Sequence, residues 1–137
     1  MITQKYLDEL TYKLIGCAIE VHKELGPGLL ESVYHKCYLN EVYSKGLKYN
    51  SQVYVPINYK GQSLDTELRL DVLVEDIIVV ELKAVEALHP LYDAQLLTYM
   101  KLLQKPKGIL INFNCTNIFK EGQKTMVNEL YAGLPKQ

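Results

Sequence analysis

One short stretch limits what this chain can fold into more than any other. From Ile77 to Val85 it reads IIVVELKAV. A nearly unbroken apolar strand is normally covered on both faces, so this stretch predicts a central strand with layers above and below. Glu81 and Lys83 interrupt it. On a strand, residues i and i+2 point to the same face about 6.6 Å apart. Isolated charges do not enter a covered sheet cheaply. These two must pair, meet a metal, or open into a cleft at the strand end.

The rest of the chain supplies the layers. Tyr6, Leu7, Leu10, Leu14, Cys17, Ala18, Val21 and Leu25 recur at helical steps over residues 3 to 25. Thr3 can cap that helix, and Gly26-Pro27-Gly28 breaks it. A second helix is predicted from about Leu29 to Lys45, with Leu30, Val33, Tyr34, Cys37 and Glu41 on one face. The period then changes to two. Val53 to Tyr59 and Leu64 to Val74 read as strands joined by Lys60-Gly61-Gln62, with Pro56 marking an edge. Pro90 opens a third helix to about Gln104, Ile109 to Phe113 is a further apolar strand, and residues 121 to 131 read as a last short helix.

At 137 residues the chain fits one domain, residues 1–137. The expectation is an α/β fold. Its sheet is mixed and four-stranded, with three meandering antiparallel strands, then a crossover helix and one parallel strand. Helices lie on both faces.

Hydrophobic residues make up 48% of the chain, which excludes a disordered or collagen-like protein. Fifteen basic against 16 acidic residues give a net charge of −1, which excludes a strongly basic nucleic-acid coat protein but not a local basic patch. Cys17, Cys37 and Cys115 have no disulfide or metal spacing and read as reduced thiols of a cytoplasmic protein. No stretch approaches the ~20 apolar residues of a membrane span. Eleven Tyr against two Phe and no Trp suggest many rings half buried with a wet or hydrogen-bonded hydroxyl.

Asp71 gives the charges of the central strand a possible purpose. It lies in the strand that precedes and pairs with the one carrying Glu81. On one face the two carboxylates would repel unless something positive sits between them. Oxygen ligands at the open edge of a sheet suit Mg²⁺, which keeps waters and uses few protein carboxylates. Lys83 could then polarise an attacking water and offset developing charge. The alternative is that Lys83 merely neutralises Asp71 and Glu81. Glu67-Leu68-Arg69 shows the same acid-x-base spacing one strand earlier, as the polar face of a half-exposed strand. A two-residue turn at Glu75-Asp76 would set Asp71 opposite Val80. Convergence therefore requires a three-residue turn or a bulge near residues 75 to 77.

Gly28-Leu29-Leu30-Glu31-Ser32-Val33-Tyr34 spells G-x-x-E-x-x-Y. With Asp71, Glu81-Leu82-Lys83 and Gln95 through Tyr99, the chain resembles the GxxExxY family of the PD-(D/E)XK nuclease superfamily, from about residue 5 to 130. The resemblance implies a restriction-endonuclease-like core. It implies metal binding by Asp71 and Glu81, with Glu31 adding a helical carboxylate, directly or through water, and Lys83 beside the attacking water. Gln95 and Tyr99 resemble the family's Q-x-x-x-Y helix, and residues i and i+4 do share a helix face. They could instead cap a sheet edge and fill the core. Tyr34 and Lys124 complete the set of supporting or substrate-binding residues, although Tyr34 can equally pack and hydrogen-bond nearby. The resemblance departs at Leu70, where the superfamily's proline is absent, and at Lys124, placed in the last helix where related sequences often have Arg.

The function this implies is a Mg²⁺- or Mn²⁺-dependent nuclease acting on nucleic acid, DNA in the first place, without a membrane; a domain this small offers little surface for gripping a duplex, which leaves room for a homodimer or a partner. The rival is a non-catalytic nucleic-acid-binding or protein-interaction module on the same scaffold, which the near-neutral charge favours. Three acids around one lysine would also raise at least one carboxyl pKa.

Overall fold

The structure, a computed structural model, describes every residue from Met1 to Gln137. Two helices come first, α1 (Gln4–Leu25) and α2 (Glu31–Ser44). Thr3 caps α1, its hydroxyl accepting from the Tyr6 N–H at 3.0 Å. Strands β1 (Tyr49–Tyr54), β2 (Ile57–Tyr59), β3 (Gln62–Leu64), β4 (Arg69–Val74) and β5 (Ile78–Lys83) follow. Helix α3 (Pro90–Leu103) then leads to β6 (Lys107–Asn112), a short α4 (Ile118–Glu121), β7 (Gln123–Val127) and α5 (Glu129–Ala132). No helix is long and apolar enough to cross a membrane.

The sheet is mixed, as expected, but it has five strands rather than four, in the order β1-β4-β5-β6-β7. The β5–β6 pair is parallel and spanned by α3. The other neighbours are antiparallel. The fifth strand, β7, occupies the stretch expected to be the last helix. Only Gln123 and Met126 are half covered there, so the stretch has no apolar rhythm of its own and is extended by its ladder with β6.

Both expected long strands of the meander are also interrupted. Pro56 has no N–H to donate, and the last rung before it is Val55 N–H to the Leu68 carbonyl at 2.9 Å. Beyond it, β2 and β3 form a separate two-stranded hairpin. Its turn uses Lys60 and Gly61 at φ 50° and 82°.

β5 is the middle strand, and its first five residues are buried. Val72, Val74, Ile78, Val80, Leu82, Ile109 and Ile111 face α1 and α2. Leu73, Val79 and Leu110 face Leu96, Tyr99 and Met100 of α3. α3 sits so close to β6 that a Cβ on Gly108 would meet Leu96 Cδ1 at 2.7 Å and Met100 Sδ at 2.8 Å.

The buried stripe of α2 is Tyr34, Tyr38 and Val42. The face expected from Leu30 and Val33 is instead largely exposed. Tyr34 is fully buried. Its hydroxyl donates to the Gly26 carbonyl at 2.6 Å and accepts from the Leu29 N–H at 3.1 Å. Its ring stacks on Phe113, with centroids 4.6 Å apart. It therefore locks the α1–α2 corner, where Gly26 and Gly28 hold φ 67° and 99°. Of its two expected roles the geometry allows the supporting one, because a fully covered ring offers no surface to a substrate.

Candidate active site

The β4–β5 turn decides the site. The Ile77 N–H bonds to the Val74 carbonyl at 3.0 Å, and Glu75 and Asp76 take φ 51° and 55°. The ladder resumes with Val74 opposite Ile78, then Val72 opposite Val80. Ile77 is thus the extra residue, and the register brings Asp71 opposite Glu81. A regular two-residue hairpin would have sent the two carboxylates to opposite faces.

Beyond Val72 and Val80, the carboxylates take over from the backbone ladder. The Asp71 N–H donates to Glu81 Oε2 at 2.7 Å, and the Leu82 N–H donates to Asp71 Oδ2 at 2.7 Å. Each acid satisfies the other strand, and each keeps a second oxygen. Glu81 is 4% exposed and Asp71 half buried. Burial drives the Glu81 carboxyl up to about 8, helped by the Asp71 charge. Burial also raises Asp71, while its bond from Leu82 works in the other direction.

By alternation from Val79, Glu81 and Lys83 share the sheet face that α3 covers. Lys83 is in none of the chain's three ion pairs. Its Nζ instead lies 4.7 Å from the centroid of the Tyr92 ring on α3, a cation–π arrangement. No ion pair joins Lys83 to the acids, although its charge works to lower the carboxyl pKa of Asp71, Glu81 and Glu31. Gln95 and Tyr99 sit on the same helix, with Gln95 Nε2 donating to the Tyr99 hydroxyl at 3.1 Å. The Tyr99 hydroxyl pKa is raised by burial and by the charges of Glu81 and Asp71, so this phenol looks toward the pair.

Glu31 is the first residue of α2 and lines one cleft with Asp71. Its carboxyl is raised by partial burial and by the Asp71 charge. It stays at the rim, and no group of three or more His, Cys, Asp or Glu side chains comes together to hold a metal. Lys124 belongs to β7, not to a helix. It stands opposite Leu110, which stands beside Glu81. That places it two strands, about 10 Å, from Glu81 on the same face, where it pairs with Asp93 at 3.2 Å.

Two positions escaped the sequence reading. Tyr92 carries Lys83, and its spacing from Gln95 and Tyr99 (i, i+3, i+7) is the signal that could have shown it. Asn112, 5% exposed, bonds both the N–H and the carbonyl of Val85 at 3.0 Å and so fixes the chain just after Lys83. Nothing in its local sequence marks it.

A buried carboxylate pair, a lysine on the Tyr92 ring, and a bonded amide and phenol of α3 thus lie together at the end of the central strands of a mixed sheet. The family model of the PD-(D/E)XK nuclease superfamily matches residues 8–126, and the chain belongs to that superfamily, which suggests a nuclease-like function. No curated protein and no solved structure matches it.

Proposed function

We propose that the protein is a divalent-metal-dependent nuclease of the GxxExxY type that hydrolyses phosphodiester bonds of nucleic acid, with DNA as substrate. The observation that carries this reading is the opposed pair Asp71 and Glu81, set in a covered sheet with no cation in ion-pair contact. Such a pair is costly to a chain that needs only to fold. Its donors are all oxygen, and only two carboxylates converge, which suits Mg²⁺ or Mn²⁺ with water and phosphate oxygens completing the set. A bound divalent ion would supply Lewis-acid stabilisation of charge on the phosphate oxygens.

The chain's own residues do the rest. Asp71 and Glu81 would hold the ion. Lys83, kept off the acids by Tyr92, orients the attacking water and offsets negative charge. Gln95 and Tyr99 present hydrogen-bond donors to the phosphate, and Glu31 acts from the rim through water. Tyr34 supports the corner from which Glu31 extends, and Lys124 adds positive charge across the sheet. The proposed compartment is the cytoplasm. The chain's three cysteines are free thiols, which fits a reducing compartment.

The net charge of −1 favours one rival, a non-catalytic module. Incubation of labelled single- and double-stranded DNA and RNA with Mg²⁺, Mn²⁺ or EDTA separates the two. The nuclease reading requires cleavage with either ion and none in EDTA. The role given to Lys83 requires a loss of about 10²- to 10³-fold in Lys83→Ala with the melting curve unchanged. No cleavage under any condition supports the rival, whereas full activity in Lys83→Ala keeps the nuclease and removes Lys83 from its chemistry.

A further inference from the structure

His35 lies one turn beyond Glu31 on α2, on the same side of the helix. Its Nε2 is 3.0 Å from the Ser51 hydroxyl of β1, which ties helix to strand. Both residues line a cleft of about 610 Å³ with Glu31, Lys36, Gln52 and Asp71. Asp71 and Glu31 both feel the His35 ring.

Three cations of the sheet already have partners. Lys124 pairs with Asp93, Lys83 lies on Tyr92, and Arg69 stacks on Tyr54 and donates to its hydroxyl. His35 and Lys36 are in none of the ion pairs. A nearly neutral chain that binds a phosphate backbone has to place its free cations beside the site. Gln52, whose register sets it opposite Asp71, holds φ 54° in mid-strand. Backbone strain of this kind in a non-glycine residue collects at functional sites.

We propose that the cleft between α2 and β1 seats a phosphate of the bound nucleic-acid strand, the one next to the linkage held at Asp71 and Glu81, with His35 and Lys36 as its donors. The proposal rests on the nuclease reading and adds the path of the strand. Four helical residues separate Glu31 from His35, a rise of about 6 Å, comparable with the step between neighbouring phosphates. Ser51 fixes the ring at Nε2; when the Ser51 hydroxyl donates to Nε2, the ring's N–H sits on Nδ1 and is free to donate to the phosphate.

The test uses the full chain, Mg²⁺ and a labelled single-stranded DNA oligonucleotide in which one linkage at a time is a neutral methylphosphonate. His35→Ala should raise KM about tenfold and lower kcat less than that. His35→Gln keeps a donor and should restore most of the loss. Lys36→Ala, at an exposed position, should raise KM in the same direction. In the wild type, one methylphosphonate beside the cleaved linkage should cost a similar factor, and in His35→Ala it should cost nothing further. If the two losses multiply, or if cleaving wild type and His35→Ala share one KM, the cleft does not hold that phosphate while the nuclease reading stands. A wild type that neither binds nor cleaves the oligonucleotide overturns both.

Discussion

Glu81→Gln is the perturbation whose effect follows most directly from the site. In the metal-free protein the Glu81 carboxyl stands near 8, against an ordinary 4.5. Below pH 4.5 it is protonated in both the folded and the unfolded chain, and folding is unaffected. Above pH 4.5 the unfolded chain ionises while the folded one keeps its proton. Stability then falls by about 1.4 kcal/mol per pH unit until the folded carboxyl ionises near 8. At pH 7 the accumulated cost is about 3 kcal/mol. Gln removes it. The amide oxygen can still accept the Asp71 N–H, now made to Glu81 Oε2 at 2.7 Å, and the new NH₂ can donate to the Asp71 carboxylate. Urea unfolding of wild type and Glu81→Gln in EDTA, from pH 4.5 to 9, isolates the pair, because other groups cancel in the difference. The variant should match wild type near pH 4.5 and exceed it by about 3 kcal/mol at pH 7, or ~10 °C in Tm. Mg²⁺ should stabilise only the wild type. A flat difference across this range, or a variant less stable at pH 8, refutes the reasoning.

Tyr92→Leu should lower kcat about tenfold by releasing Lys83, with Tyr92→Phe within roughly twofold of wild type because the ring face remains; equal losses in the two variants would exclude the cation–π hold. Tyr34→Phe removes a hydroxyl bonded to Gly26 and Leu29. It should cost about 1–3 kcal/mol in urea unfolding, and a neutral result would mean that the corner holds without it. Gly108→Ala drives a methyl into Leu96 and Met100 and should cost about 1–3 kcal/mol; an unchanged Tm would show that α3 is free to move off the sheet.

What the sequence showed and what it hid have separate physical origins. Helix α1 was legible because one periodic apolar stripe, the Thr3 cap and the Gly26–Gly28 break agree. The central position of β5 was legible because nine residues, from Ile77 to Val85, interrupt an apolar run only at Glu81 and Lys83. β7 was not, because an edge strand takes its conformation from its neighbour's ladder rather than from its own pattern. The period-two rhythm ran on through Pro56 and concealed the break there, since the loss is of one N–H and not of apolar character. The stripe of α2 was legible at Tyr34 but missed Tyr38 and Val42, because Tyr38 fills the core as fully as Leu would, with its hydroxyl satisfied by the Leu14 carbonyl at 3.0 Å. At the site, the need for an extra turn residue followed from parity alone. The lodging of Lys83 on Tyr92 did not, because it joins two elements that only the crossover brings together.

The most direct measurement is anomalous diffraction from crystals grown with Mn²⁺. The account predicts one strong peak between the Asp71 and Glu81 carboxylates, at the ~2.0–2.2 Å coordination distances of a hard divalent ion, with Lys83 still over Tyr92. Crystals that hold Mn²⁺ elsewhere, or not at all, with the two carboxylates bonded only to the backbone, would contradict it.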